Sequence, residues 1–170
     1  YKETDEPKPI SVYGASKLQG EVEIRQVLKE HFIIRTSWLY SEYGQNFMKT
    51  MLRLAETRDE ISVVNDQIGT PTYAGDLAEA ILHIIISTAK RYGTYHYSNE
   101  GAISWYDFAK AIFDEANIII KVSPIKTIGY PATAKRPSYS VLDYKKIKNT
   151  LGISISYWKT SLKAAITKFS

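Results

Sequence analysis

The chain has 170 residues, a net charge of +4 and no cysteine. That length allows one domain or two small lobes, and the missing thiols exclude disulfides, zinc–thiolate sites and cysteine nucleophiles. A hydrophobic fraction of 44% is enough to bury a sizeable core, yet no apolar run reaches the length of about 18 residues that suggests a membrane span.

Lys and Arg are dispersed, apart from Lys145-Lys146-Ile147-Lys148, which reads as a solvated helix end. No motif accompanies the charge and it is not interleaved with aromatics, which argues against nucleic acid. The mild positive balance suits an anionic small ligand such as a sugar nucleotide. The opening Tyr1-Lys2-Glu3-Thr4-Asp5-Glu6 has no basic-then-apolar signal pattern; with no cysteine, the expectation is the cytoplasm. The chain begins without Met on an acidic, proline-containing loop, and so reads as the later part of something longer.

Pro7 and Pro9 mark an extended approach to a helix expected over 12–29, with Leu18, Val22, Val27 and Leu28 as its apolar positions. Strands are expected at 31–35 and 61–64, with a helix over 46–56 between them in which Asn46 can cap. Residues 66–72 read as a loop broken by Gly69 and Pro71. An apolar helix over 73–88 and a strand over 93–97 follow, then a helix from Ser104 to 116 with Asp107 completing a capping-box variant. Ile118 to Val122 and Ile125 to Ile128 are β-like, 130–138 is a loop, and 143–150 and 158–169 are terminal helices. Strands alternating with helices predict an α/β fold with a largely parallel sheet.

Tyr13 and Lys17 stand four apart on the first helix, hence on one face. A free phenol has a pKa of about 10, and a positive charge about 4 Å away contributes on the order of 4 kcal/mol at an effective dielectric near 20. That is about three pKa units, enough to make Tyr13 an acid for a carbonyl oxygen receiving a hydride. Tyr106/Lys110 and Tyr144/Lys148 share the spacing. Only Tyr13 is followed by small residues (Gly14, Ala15, Ser16) that let a ligand approach; the other two pairs read as ordinary amphipathic helices.

Thr36, Ser37 and Trp38 follow a strand, where open parallel sheets bind ligands. Trp38 is either a core indole or a flat face for a sugar. Gln67 to Thr72 is either a turn or a hydrogen-bonding surface, and Lys135-Arg136-Pro137 either a surface loop or a diphosphate clamp through Arg136. His31, His83 and His96 share no metal-ligand spacing, so no metal residue is assigned.

Together, Val12 to Glu21, Arg35 to Tyr40, Asn46-Phe47-Met48, Asp66 to Thr72 and Arg136-Pro137 resemble the extended short-chain dehydrogenase/reductases, and within them the dTDP-4-dehydrorhamnose reductase family. The resemblance implies the C-terminal part of an NAD(P)-binding Rossmann-like fold. Residues 1–43 would be a Rossmann remnant with the catalytic helix, and 44–170 mostly a substrate lobe, with 73–97 returning to the Rossmann sheet. It implies Tyr13 as proton donor to C4 of the keto-sugar and Lys17 as the residue tuning it and binding the nicotinamide ribose. Thr36 and Ser37 would lie near the nicotinamide, Trp38 against the deoxysugar, Asn46, Gln67 and Pro71 in the substrate lobe, and Arg136 at the diphosphate. NADP or NAD is the implied cofactor, although no glycine-rich loop occurs in this chain. The family admits a magnesium ion, and no ligand set for it is legible here. The implied partners are a dTDP-sugar, a second copy of the chain or an N-terminal half. Alternatives are a sugar-nucleotide epimerase or dehydratase of the same superfamily, and a non-catalytic cofactor-binding regulatory subunit on the same fold.

Overall fold

Ser11 caps the first helix: its hydroxyl accepts from the Gly14 N–H at 3.1 Å, and α1 runs Val12–Val27. In the computed structural model, which describes residues 1–88, 90–129 and 136–169, no residue of α1 is buried. Leu18 and Val22 are half-buried, but Val27 and Leu28 are exposed. Half of the expected apolar face therefore has no core beneath it.

β1 (Phe32–Arg35) pairs in parallel with β6 (Gly93–His96). Between them come β2 (Leu39–Tyr40), α2 (Phe47–Ala55), β3 (Glu60–Val64), β4 (Ile68–Gly69), β5 (Thr72–Tyr73) and α3 (Ala74–Ile86). Asn46 caps α2 as expected, accepting from Lys49 N–H at 3.2 Å. The rest of the chain contributes β7 (Ile103–Ser104), α4 (Trp105–Glu115), β8 (Lys121–Ile125), a 3-10 turn at Thr127–Gly129, α5 (Lys145–Leu151) and α6 (Trp158–Phe169). Ser104 and Asp107 form the reciprocal capping box of α4.

The α/β class holds, with corrections of detail. Parallel pairing dominates, but among the described residues it is divided into four two-stranded ladders: β1–β6, β2–β5 and β3–β8 parallel, β4–β7 antiparallel. The segment 66–72 is not a simple loop, because it donates β4 to one ladder and opens β5 in another. The two expected strands around Pro124 are one strand, Lys121–Ile125, followed by the 3-10 turn. β8 pairs with β3 alone among the described residues, so the missing N–H of Pro124 disrupts no second ladder. Residues 130–135 of the expected loop, Lys135 included, lie outside the described residues.

Two apolar clusters result. The larger packs α2, β3, α4 and α6 around Phe108, Ile112 and Leu162, all fully buried. The smaller joins α3, β6 and α5 through Ile84, Tyr95, Tyr97 and Ile147. A polar hub beside them ties β5 to α3 and α6. Asn99 Oδ1 accepts from Tyr73 N–H at 2.8 Å, while its Nδ2 donates to Asp76, to the Ser156 carbonyl and to Ser161. Asn99 is buried, so the side chain replaces the hydrogen bonds that these groups would make to water.

Candidate functional site

The three Tyr-x-x-x-Lys pairs have nearly the same local geometry. Each ammonium lies over its tyrosine ring, at 5.2 Å for Lys17 on Tyr13 and 5.7 Å for Lys110 on Tyr106 and for Lys148 on Tyr144. Exposure separates them. Tyr13 is 72% exposed, whereas Tyr106 and Tyr144 are half-buried in packed helices. The Lys148 ammonium is moreover engaged by Glu100 at 2.7 Å. Gly14 has a packing reason of its own, since a Cβ there would stand 3.1 Å from Pro9 Cβ.

Arg35, at the end of β1, grips Glu21 of α1 through two 2.7 Å hydrogen bonds, and Arg25 reaches the same carboxylate. Burial pushes the Glu21 carboxyl up, but the hydrogen bonds and charges of Arg35 and Arg25 outweigh it and hold it below its ordinary value. In the register, Arg35 stands opposite His96. Burial lowers the His96 pKa first; Glu3 opposes this and Arg35 adds to it.

The chain leaves β1 through Thr36, exposed, and Ser37, whose hydroxyl donates to the Thr70 carbonyl at 3.0 Å. Trp38 has a φ of +46°, a region that side-chain-bearing residues rarely occupy. Its carbonyl accepts from Thr72 N–H at 3.1 Å. Its indole stacks on Trp105 with centroids 3.6 Å apart and planes 12° from parallel. Gly69 permits this: a Cβ there would lie 2.4 Å from Trp38 Cε2.

Trp105 continues into a cleft of about 450 Å³ between α2 and β3, whose lining includes Phe47, Arg58, Gln67 and Arg136. Among the described residues, neither Arg58 nor Arg136 enters an ion pair. Gln67 is buried and donates to Thr127 Oγ1 at 3.1 Å. Thr127 also donates to Asp66 from its hydroxyl and its backbone N–H; those bonds, the hydroxyl's first, hold the Asp66 carboxyl below its usual range. The same lining carries one carboxylate, Glu60, which Lys121 and Ser123 already engage. An aromatic- and aliphatic-walled cleft whose two guanidiniums enter no ion pair among the described residues fits an anionic ligand with a flat ring system.

Gln67 and Arg136 thus meet in one cleft, and Trp38 borders it through Trp105. Tyr13, Lys17 and Thr36 do not line it. Asn46 is a helix cap that also donates to the Ser41 carbonyl, and Pro71 is buried between β4 and β5; neither lines the cleft. Sequence reasoning missed Trp105, Phe47 and Arg58. Trp105 falls three residues before Phe108 and so reads as part of the buried face of α4.

Residues 1–170 match the RmlD substrate binding domain family. The dTDP-4-dehydrorhamnose reductase of Aggregatibacter actinomycetemcomitans is 48% identical over 174 residues, covering 96% of this chain and 59% of that protein. A solved dTDP-4-dehydrorhamnose reductase from Clostridium acetobutylicum superposes with a TM-score of 0.94 at 45% identity, over 99% of this chain and 59% of that one. Another, from Bacillus anthracis and in complex with NADP, gives 0.91 at 42% identity, over 100% and 59%. The chain therefore spans about three-fifths of the length of the relatives it matches. With the match running over every residue of the sequence, the chain belongs to the RmlD substrate binding domain family.

Proposed function

We propose that this chain supplies the proton donor and the sugar-nucleotide surface of a dTDP-4-dehydrorhamnose reductase, which reduces C4 of dTDP-4-dehydro-6-deoxy-L-mannose to give dTDP-L-rhamnose. The observation that carries the reading is the exposed Tyr13 with the Lys17 ammonium over its ring, on the same chain as the cleft of Trp105, Gln67 and Arg136. The relatives and their names support it.

The residues fit the nicotinamide end of NADP or NAD: Tyr13, Lys17 and Thr36 are all exposed around the start of α1 and the end of β1. A bound nicotinamide supplies the hydride. Tyr13 donates its phenolic proton to the C4 oxygen as that oxygen gains negative charge, and the Lys17 ammonium stabilises the phenolate left behind. Ser37 acts through the backbone, its hydroxyl being committed to Thr70. Trp38 packs against the deoxysugar, Arg136 with Arg58 binds the diphosphate, and Gln67, Asn46 and Pro71 shape the lobe around them.

The division that goes with this reading is a Rossmann part, 1–43 with 73–97, and a substrate lobe in the remainder of 44–170. Its partner is a glycine-rich cofactor-binding half or a second copy of the chain, and its compartment the cytoplasm; no described helix is long and apolar enough to cross a membrane.

The test joins this chain to such a half and follows NADPH and NADH oxidation with the keto-sugar. Turnover that falls about 100-fold or more in Tyr13→Phe is expected from loss of a general acid. Undiminished turnover in that variant would remove the reading.

A further inference from the structure

The backbone at Trp38 lies at φ +46°, and such a conformation persists only where its surroundings hold it. Three contacts do so. The Trp38 carbonyl is fixed by Thr72 N–H at 3.1 Å, the edge of the indole lies where a Gly69 Cβ would be, and its face lies on Trp105. Two free indoles prefer an offset or edge-to-face arrangement. A spacing of 3.6 Å with planes 12° apart is nearly face to face, so the fold imposes it. Trp105 is itself anchored: it is the first residue of α4, held within the Ser104–Asp107 capping box, and it packs on Phe47 at 4.6 Å. Phe47 in turn stacks on the fully buried Phe108. The orientation of Trp38 is thereby referred to the core through Trp105.

We propose that Trp105 is a positioning residue that sets the plane of Trp38 and, through it, the preference of the site for a 6-deoxy over a 6-hydroxy hexose. This rests on the reductase reading, in which the Trp38 face meets the deoxysugar. A flat apolar face leaves a sugar hydroxyl without a hydrogen-bond partner, while a methyl group packs well on it. Tilting the face by removing the indole behind it weakens that discrimination without touching the proton donor.

The test uses the complete reductase carrying this chain, with Trp105→Leu and Trp105→Phe. The parent should show the exciton couplet of two stacked indoles in circular dichroism; Trp105→Leu should lose it and Trp158→Phe should keep it. In Trp105→Leu the ratio of kcat/KM for dTDP-4-dehydro-6-deoxy-L-mannose over its 6-hydroxy counterpart should fall about tenfold. Most of that fall should come from a raised KM for the deoxysugar, and Trp105→Phe should recover most of the loss. A folded Trp105→Leu with parental selectivity, or a parent without the couplet, would overturn the proposal. Should Trp105→Leu fail to fold, selectivity in Trp105→Met, which likewise removes the flat ring, decides in its place, and parental selectivity there overturns it. A parent without turnover would instead overturn the reductase reading and take the sugar preference with it; the couplet reports on the stack independently.

Discussion

Glu21 of α1 receives both Arg35 Nε and Arg35 Nη2 at 2.7 Å, a two-pronged link between the helix that carries Tyr13 and the strand that leads to Trp38. Because no residue of α1 is buried, this link does what apolar packing does for the other long helices. Arg25, one turn on, completes the clamp.

Glu21→Gln should therefore loosen α1. Arg35 is largely enclosed, its side chain 20% exposed, so an unpaired guanidinium costs about 1–3 kcal/mol. Urea denaturation should show a lower midpoint with an unchanged slope. The lowered Glu21 pKa also sets the pH dependence. Its contribution is fully present above the ordinary value of 4.5 and is lost as pH falls through the lower folded value. The parent should lose more stability than Glu21→Gln on acidification below that point.

His96 is buried and its pKa is depressed below 6.5, burial being the largest cause. The unfolded chain binds a proton at His96 before the folded chain does, so stability declines as pH falls from about 6.5 through the folded value. In NMR titration the His96 ring resonances should move with a midpoint below 6.5. A midpoint at or above 6.5 would contradict the burial argument.

Asn99→Ala removes the acceptor for Tyr73 N–H and the donor for Asp76, Ser156 and Ser161 in one change. The buried Tyr73 N–H is left without its acceptor, while Asp76 and Ser161 keep each other and the Ser156 carbonyl keeps the Glu100 N–H, so a loss of about 1–3 kcal/mol is expected in thermal or urea unfolding. Ser161→Ala, which leaves the other three bonds of Asn99 in place, should cost less.

Val27, Leu28, Leu82, Ile85 and Ile86 are exposed on α1 and α3, the last two at 70% and 78%. Apolar surface of this kind seeks a partner. The chain alone should self-associate in sedimentation, and association should diminish when a cofactor-binding half is supplied. The chain alone should also show no tight stoichiometric NADPH binding in calorimetry, since it carries no glycine-rich phosphate loop.

The α/β class and most helices were legible because they rest on local signals. The Asn46 cap, the Ser104–Asp107 capping box and the apolar runs at Phe32 and Ile61 act within a few residues of chain. Gln67 and Arg136 were legible as polar residues beside a rigid proline or glycine. The fragmentation of the sheet into short ladders was not, because two-residue strands such as β4 and β7 exist only through pairing across the chain and have no period of their own.

The sequence by itself determined the chemistry available: a phenol and an ammonium one helical turn apart, no thiol, and guanidiniums for an anion. Three such tyrosine–lysine pairs exist, however, and local spacing makes them equivalent. The small residues after Tyr13 pointed to it, but the tertiary structure decided how far each phenol is exposed, because exposure depends on what the rest of the chain packs over each helix. It likewise decided that Trp38 lies on Trp105. These residues are 67 positions apart, and no periodicity carries information over that distance; the pairing of β4 with β7, which runs directly into α4, brings Trp105 over the Trp38 that lies on Gly69.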